Sequence, residues 1–165
     1  MSDKRIGVGD AAPDFMLPSR SGVQVSLHDL LGKGPLVLYF YPKDNTSGCT
    51  AEACAFRDSY AVFKNAGVEV AGISSDSVAS HENFASRNQL PFILLSDTGG
   101  AVRKRYGVPS TLGVLPGRVT YVIGREGVIR HMFSSQLGAT KHVAEALRVI
   151  QELQQQFLES SEPQA

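Results

Sequence analysis

Cys49 and Cys54 are the two thiols of a 165-residue chain, and they stand five positions apart. A thiolate is a soft nucleophile available near neutral pH, so a well-placed cysteine can attack an electrophilic oxygen or sulfur. Cys49 follows the polar run Pro42-Lys-Asp-Asn-Thr-Ser-Gly48, which reads as a turn after the apolar stretch Leu36 to Tyr41. Thr50 to Ala66 has helical character and stops at Gly67, which puts Cys49 in or just before a first helical turn. Unpaired backbone N–H groups and the positive end of the helix dipole stabilise a thiolate there. The plain alternative is a small buried core cysteine, since free cysteines are often interior.

Helical geometry separates the two sulfurs. At about 100° per residue, Cys49, Ala53, Phe56, Tyr60 and Phe63 share a stripe that must face the core. Cys54 lies at roughly 160° from Phe56, beside Thr50, Ala51, Arg57 and Asp58. Five helical residues also separate the Cα atoms by roughly 8–9 Å, beyond the ~7 Å reach of a disulfide. A static structural disulfide is therefore disfavoured, and a transient one requires the helix start to unwind. The absence of a Cys-x-x-Cys pair counts against an ordinary dithiol reductase.

The elements that must hold these groups alternate. Leu36–Tyr41, Val68–Ser74, Phe92–Leu95 and Val119–Ile123 read as buried strands, and Val128–Phe133 as a hairpin partner of the last across Arg125-Glu126-Gly127. Helices are expected at Ser80–Asn88 with a serine cap, at Gly100–Tyr106, and from Thr140 to Glu159. The last places Val143, Ala146, Leu147, Ile150, Leu153 and Phe157 on one stripe, read as core packing rather than a dimer seam. Strands alternating with helices give an α/β fold with a mixed central sheet flanked by helices, and ligands beyond the carboxyl ends of strands.

Composition bounds the function. Sixteen basic and sixteen acidic residues give a formal net charge of zero, which removes the electrostatic case for nucleic acid or an anionic membrane as partner. No apolar run approaches the ~20 residues of a membrane span, and no secretory signal is visible. The expectation is one domain over residues 1–165, cytoplasmic, with residues 160–165 a frayed tail. His28, His81, His131 and His142 show no ligand spacing and read as surface or packing residues, so neither a metal nor a cofactor is expected.

Pro42-x-x-x-Thr46-x-x-Cys49 has the spacing of the peroxiredoxin active-site loop. The fuller run Tyr41 to Asp58 resembles the Q-type, or bacterioferritin-comigratory, subfamily. Val8-Gly-Asp-Ala-Ala-Pro-Asp-Phe15-Met-Leu-Pro, Gly72-Ile-Ser-Ser-Asp-Ser77 and Arg118-Val-Thr-Tyr-Val-Ile123 extend the likeness over almost the whole chain. The sequence departs from the subfamily at Ser47, where Pro is usual, and at Asn45, where Asp is common.

The resemblance implies a thioredoxin-like fold and a thiol-dependent peroxidase acting on hydrogen peroxide and organic hydroperoxides. Cys49 would be the peroxidatic nucleophile, forming a sulfenic acid. Thr46 would set its hydroxyl beside the sulfur, where its ordinary role is a turn or N-cap residue. Pro42 would shield the thiolate by shape, and the backbone N–H groups of Gly48 and Cys49 would hold peroxide oxygens. Arg118, alone a surface arginine, would stabilise the thiolate and polarise the peroxide. Glu52 would orient Arg118 through a bidentate pair; its alternative is an exposed first-turn charge. Cys54 matches the resolving cysteine of some Q-type members, giving a transient Cys49–Cys54 disulfide recycled by thioredoxin or a glutaredoxin-like reductant. An idle, exposed Cys54 is the other reading. A redox-sensing binding module with incidental peroxide reactivity is the competing function. A monomer is expected, with the apolar loop Leu112 to Pro116 as a place for a small dimer contact.

Overall fold

Leu36 to Phe40 has no exposed member, so this strand must lie at the centre of a sheet covered on both faces. The computed structural model describes residues 6–161 except 33, 109, 112–114 and 136–137. Its elements in chain order are β1 (Met16–Pro18), a 3₁₀ turn (Arg20–Gly22), β2 (Gln24–Ser26), α1 (Leu27–Leu31), β3 (Leu36–Phe40), α2 (Ser47–Asn65), β4 (Glu69–Ser74), α3 (Val78–Asn88), β5 (Ile93–Ser96), α4 (Ala101–Arg105), β6 (Ser110–Thr111), β7 (Leu115–Pro116), β8 (Val119–Ile123), β9 (Ile129–Ser134) and α5 (Lys141–Ser161).

Five strands form the central sheet in the order β5-β4-β3-β8-β9. β3, β4 and β5 run parallel, joined by helical crossovers, while β8 runs antiparallel to β3 and to β9. Alternation along β3 splits the core in two. Val37 and Tyr39 pack with Cys49, Ala53, Phe56 and Phe63 of α2, Phe84 of α3, and Val143, Ala146 and Ile150 of α5. Leu36, Leu38 and Phe40 face Phe15, Leu27, Val102, Tyr106 and Tyr121 on the other side.

One register matters most for chemistry. Phe40 at the end of β3 pairs with Val119 at the start of β8. An antiparallel neighbour thus delivers Arg118, some 70 residues downstream, to the same sheet end where the Cys49 loop emerges. α5 crosses β8 and α2 on that face and brings His142 against Thr120.

Three helix boundaries differ from the sequence expectation by more than one residue. α2 begins at Ser47, not Thr50, so Gly48 and Cys49 lie inside the first turn. α3 begins at Val78 and its cap is Ser77, whose hydroxyl accepts from the Ser80 amide; Ser80 is helical rather than capping. α5 continues through Ser161, past the expected end at Glu159, while the rest of the expected tail, 162–165, lies outside the described residues. Its core stripe also includes Val149, which the sequence reading omitted. The Phe157 side chain lies outside the described residues, as do residues 112–114 of the loop considered for a dimer contact. Among the described residues no helix is long and apolar enough to cross a membrane.

Candidate active site

The chain leaves β3 through Tyr41 and half-buried Pro42, turns through Asn45 in the left-handed region (φ 64°), and enters α2 with Thr46 as N-cap. Asn tolerates that conformation better than most residues, and Ser47 occupies the first helical position, where proline is favoured. Both departures from the Q-type pattern therefore fall on backbone geometry. Thr46 is exposed; its hydroxyl donates to the Lys43 carbonyl at 3.0 Å and makes no side-chain cap bond. Its backbone carbonyl accepts from Thr50 at 2.8 Å.

Cys49 is buried, and Arg118 reaches it: Nη2 donates to Sγ at 3.3 Å. Nη1 of the same guanidinium donates to Glu52 Oε1 at 2.5 Å. Gly48 leaves room for this approach: a Cβ there would stand 3.2 Å from Arg118 Nη2 and press on the guanidinium. Glu52 is 0% exposed, which overturns the reading of it as an exposed first-turn charge. The pairing is also one-pronged, not bidentate: Oε2 and the Arg118 Nε have no hydrogen-bond partner among the described residues. Burial pushes the Glu52 carboxyl up to about 8, against the pull of Arg118. Burial disfavours charge on Arg118, yet Glu52 and Cys49 together hold it above its usual range.

The Glu52 shift carries a stability consequence. The folded protein keeps a proton that the unfolded chain releases near 4.5. Glu52's contribution is therefore complete below that value and is lost as pH rises through about 8. Urea unfolding of reduced protein across this window should show wild type losing ground to Glu52→Gln as pH rises, by at most about 1.4 kcal/mol per pH unit. Parallel pH profiles would show that Glu52 ionises normally.

Two histidines read as ordinary packing residues prove to be wired to this region. His81 of α3 is buried, donates Nε2–H to the Leu95 carbonyl at 3.0 Å, and sets Nδ1 2.7 Å from Asp44 Oδ2. Asp44 also accepts from Tyr41 at 2.6 Å and Ser80 at 2.8 Å, while its own amide donates to Asp76 at 2.8 Å. The donor atoms of Asp44, Asp76 and His81 lie within 4.8 Å of one another. They are engaged in hydrogen bonds that fasten the active-site loop to β4 and α3. His142 is 0% exposed, with Nε2 donating to the Ser135 carbonyl and Nδ1 2.8 Å from Thr120 Oγ1. Burial lowers its affinity for a second proton, with the Ser135 carbonyl opposing and Arg118 adding to the effect. His28 is exposed, and His131 pairs with Glu145.

Both cysteines are reduced. Cys54 lies on the outer face of α2, as the wheel requires, but it is half-buried rather than exposed: its thiol points to Asn88 Oδ1 at 3.8 Å. Arg57 Nη1 donates to the Asn88 carbonyl at 2.8 Å, so both residues lean on the end of α3.

A reduced cysteine in the first turn of the helix after a central strand, with an arginine supplied by the antiparallel neighbour, fits the thiol peroxidases of thioredoxin-like fold. Residues 8–132 match the model of the AhpC/TSA family. The chain is 52% identical over 150 residues to a chloroplastic peroxiredoxin Q of Triticum aestivum, covering 90% of this chain and 69% of that protein. It is 53% identical over 147 residues to the chloroplastic peroxiredoxin Q of Arabidopsis thaliana, covering 88% and 68%. The crystal structure of peroxidoxin BcpB from Mycobacterium tuberculosis superposes with a TM-score of 0.84 at 36% identity, covering 90% of this chain and 98% of that one. A Xanthomonas campestris peroxiredoxin Q superposes at 0.78 with 31% identity, covering 92% and 98%. The chain belongs to the AhpC/TSA family, in its peroxiredoxin Q branch, and is a thiol-dependent peroxidase that takes peroxide substrates and a thiol reductant. The relatives also correct one expectation. Several are named chloroplastic, which overturns the cytoplasmic expectation. Charge and composition had carried no information on compartment.

Proposed function

We propose that Cys49 is the peroxidatic cysteine, that Cys54 resolves it within the same chain, and that an external dithiol such as thioredoxin completes the cycle. The observation that carries this reading is the 3.3 Å hydrogen bond from buried, Glu52-held Arg118 to the Cys49 sulfur. The Cys49 thiolate attacks the terminal oxygen of hydrogen peroxide or an organic hydroperoxide. The O–O bond breaks, sulfur takes the hydroxyl to become a sulfenic acid, and the departing oxygen leaves as water or alcohol after gaining a proton. Arg118 stabilises both the thiolate and the charge developing on the leaving oxygen. Thr46 has its own proton committed to the Lys43 carbonyl, so its lone pairs remain to accept from the peroxide O–H. Pro42 shields the sulfur by shape, and the Gly48 and Cys49 amides in the first turn of α2 face the substrate oxygens. Glu52 acts through Arg118. The thiol of Cys54 then displaces hydroxide from the sulfenic acid as water, forming the disulfide, which the dithiol reduces by exchange.

Geometry makes resolution a local unfolding step. Cys49 and Cys54 cannot bond while α2 stays helical between them. The first turns of α2 must open, and the Cys54–Asn88 and Arg57–Asn88 contacts must break. A helix end opens at modest cost because its first turn has few internal hydrogen bonds.

Stoichiometric peroxide should therefore give a disulfide within one chain, with amide exchange accelerated from Cys49 to Phe56. Cys54→Ser should still be oxidised rapidly, accumulate a sulfenic acid trapped by dimedone, and lose turnover with thioredoxin. If oxidised wild type keeps full protection over these residues, or if Cys54→Ser turns over normally, Cys54 is not the resolving residue. Sustained peroxide consumption also separates this enzyme from a redox sensor, which would react once. A monomer is the state proposed for the working enzyme.

A further inference from the structure

Glu52 offers one oxygen to Arg118 and keeps the other, Oε2, in a buried position without a hydrogen-bond partner among the described residues. That oxygen faces His142 Nδ1 at 3.7 Å. The protonation of His142 follows from its surroundings. A carbonyl can only accept, so Nε2, 2.8 Å from the Ser135 carbonyl, carries the ring hydrogen. Nδ1 then presents its lone pair and takes the Thr120 hydroxyl at 2.8 Å. With its lone pair engaged by Thr120, Nδ1 has no hydrogen for Oε2, so an ionised Oε2 would be a buried charge facing an acceptor with no donor there to offset it.

We infer that His142 is a positioning residue for the proton of Glu52: its Nδ1 faces the unpartnered Oε2 and keeps that carboxyl neutral in the reduced protein, leaving the charge of Arg118 to Cys49. The inference rests on the reading of Cys49 as a thiolate partnered by Arg118. The direction in which burial moves each group agrees with it, since Glu52 is driven towards its neutral form and His142 away from its charged one. The groups that meet here come from four elements and one loop. Cys49 and Glu52 belong to α2, Tyr39 to β3, Thr120 to β8 and His142 to α5, with Arg118 just before β8. Arg118 is the cation among them, Tyr39 is held neutral by burial, and a neutral Glu52 leaves the thiolate as the one anion. An ionised Glu52 would instead compete with sulfur for the same guanidinium.

The test is ultraviolet titration of the Cys49 thiolate in Cys54→Ser protein, which needs no peroxide. Adding Glu52→Gln, a neutral copy of the protonated carboxyl, should leave the midpoint in place. Adding His142→Gln sets an amide donor beside Oε2 and favours the carboxylate, so the midpoint should move up by about one unit. That is about tenfold less thiolate on the acid side. The rise should vanish when both substitutions are present. A midpoint that falls on Glu52→Gln, or a rise that survives in the double variant, overturns the inference. So does a midpoint that stays put in His142→Gln. Infrared difference spectra supply a second measurement should that variant not fold: reduced wild type near neutral pH should show a protonated-carboxyl band missing from Glu52→Gln, and its absence is equally decisive. Failure of the underlying reading looks different, because Arg118→Ala would then leave the Cys49 titration unmoved.

Discussion

Cys49→Ser is expected to reduce peroxide consumption by more than about a thousandfold while leaving the fold in place. A serine hydroxyl is scarcely ionised near neutral pH, and its oxygen is a poor nucleophile towards the O–O bond. The substitution is nearly isosteric at a buried position that packs against Ala53 and Phe56, and serine can still accept from Arg118. A large loss of rate with an unchanged far-ultraviolet circular dichroism spectrum and melting temperature would isolate the chemistry of sulfur. A variant that consumes peroxide at the wild-type rate would remove Cys49 from the reaction. Cys54, half-buried with its thiol turned to the neutral Asn88 amide, would not supply an equivalent nucleophile.

What the sequence discloses about this site, and what it withholds, follows from chain distance. The Cys49 stripe was legible because Ala53, Phe56 and Phe63 sit on one helix at fixed angles, and each is buried as the wheel requires. The strands were legible because β3, β4, β5 and β8 are short, apolar runs bounded by turns. The start of α2 was placed three residues late because Ser47 and Gly48 look like turn residues, although both lie in its first turn. Arg118 was placed by family resemblance, since no local pattern reports that β8 pairs antiparallel with β3. Glu52 showed its face on the wheel but not its burial, which depends on α5 closing over it. The polar fastening of the loop by Asp44, Asp76 and His81 was missed altogether. Its members lie on three segments up to 37 positions apart, with no spacing that betrays them. His142 was equally hidden. One signal did exist: Arg118 and Thr120 alternate to the same side of β8, so a polar Thr in an apolar strand marked that face as part of the site.

Arg118→Ala should slow oxidation of Cys49 by about 100- to 1,000-fold, the range found when a donor to a developing oxyanion is removed. Two separable losses contribute. One Nη2 donor leaves the sulfur, so the thiolate titration should shift to higher pH; the other loss is the cation that stabilises the departing oxygen, which persists even where Cys49 is fully ionised. Stopped-flow oxidation measured over a range of pH distinguishes them. A deficit that closes completely at high pH would assign Arg118 to thiolate formation alone, whereas a residual deficit on the alkaline plateau measures its action on the peroxide. Arg118→Lys should recover little of either, because an ammonium cannot span Cys49 and Glu52 with two donors in one plane. Removing Arg118 also takes away the group that pulls the Glu52 carboxyl towards ionisation, so the buried carboxyl stays protonated and no naked charge is left. Stability should consequently fall less than the loss of a buried ion pair would imply, and far less than the rate. If neither the titration nor the rate changes, the 3.3 Å contact between this guanidinium and the sulfur has no part in catalysis.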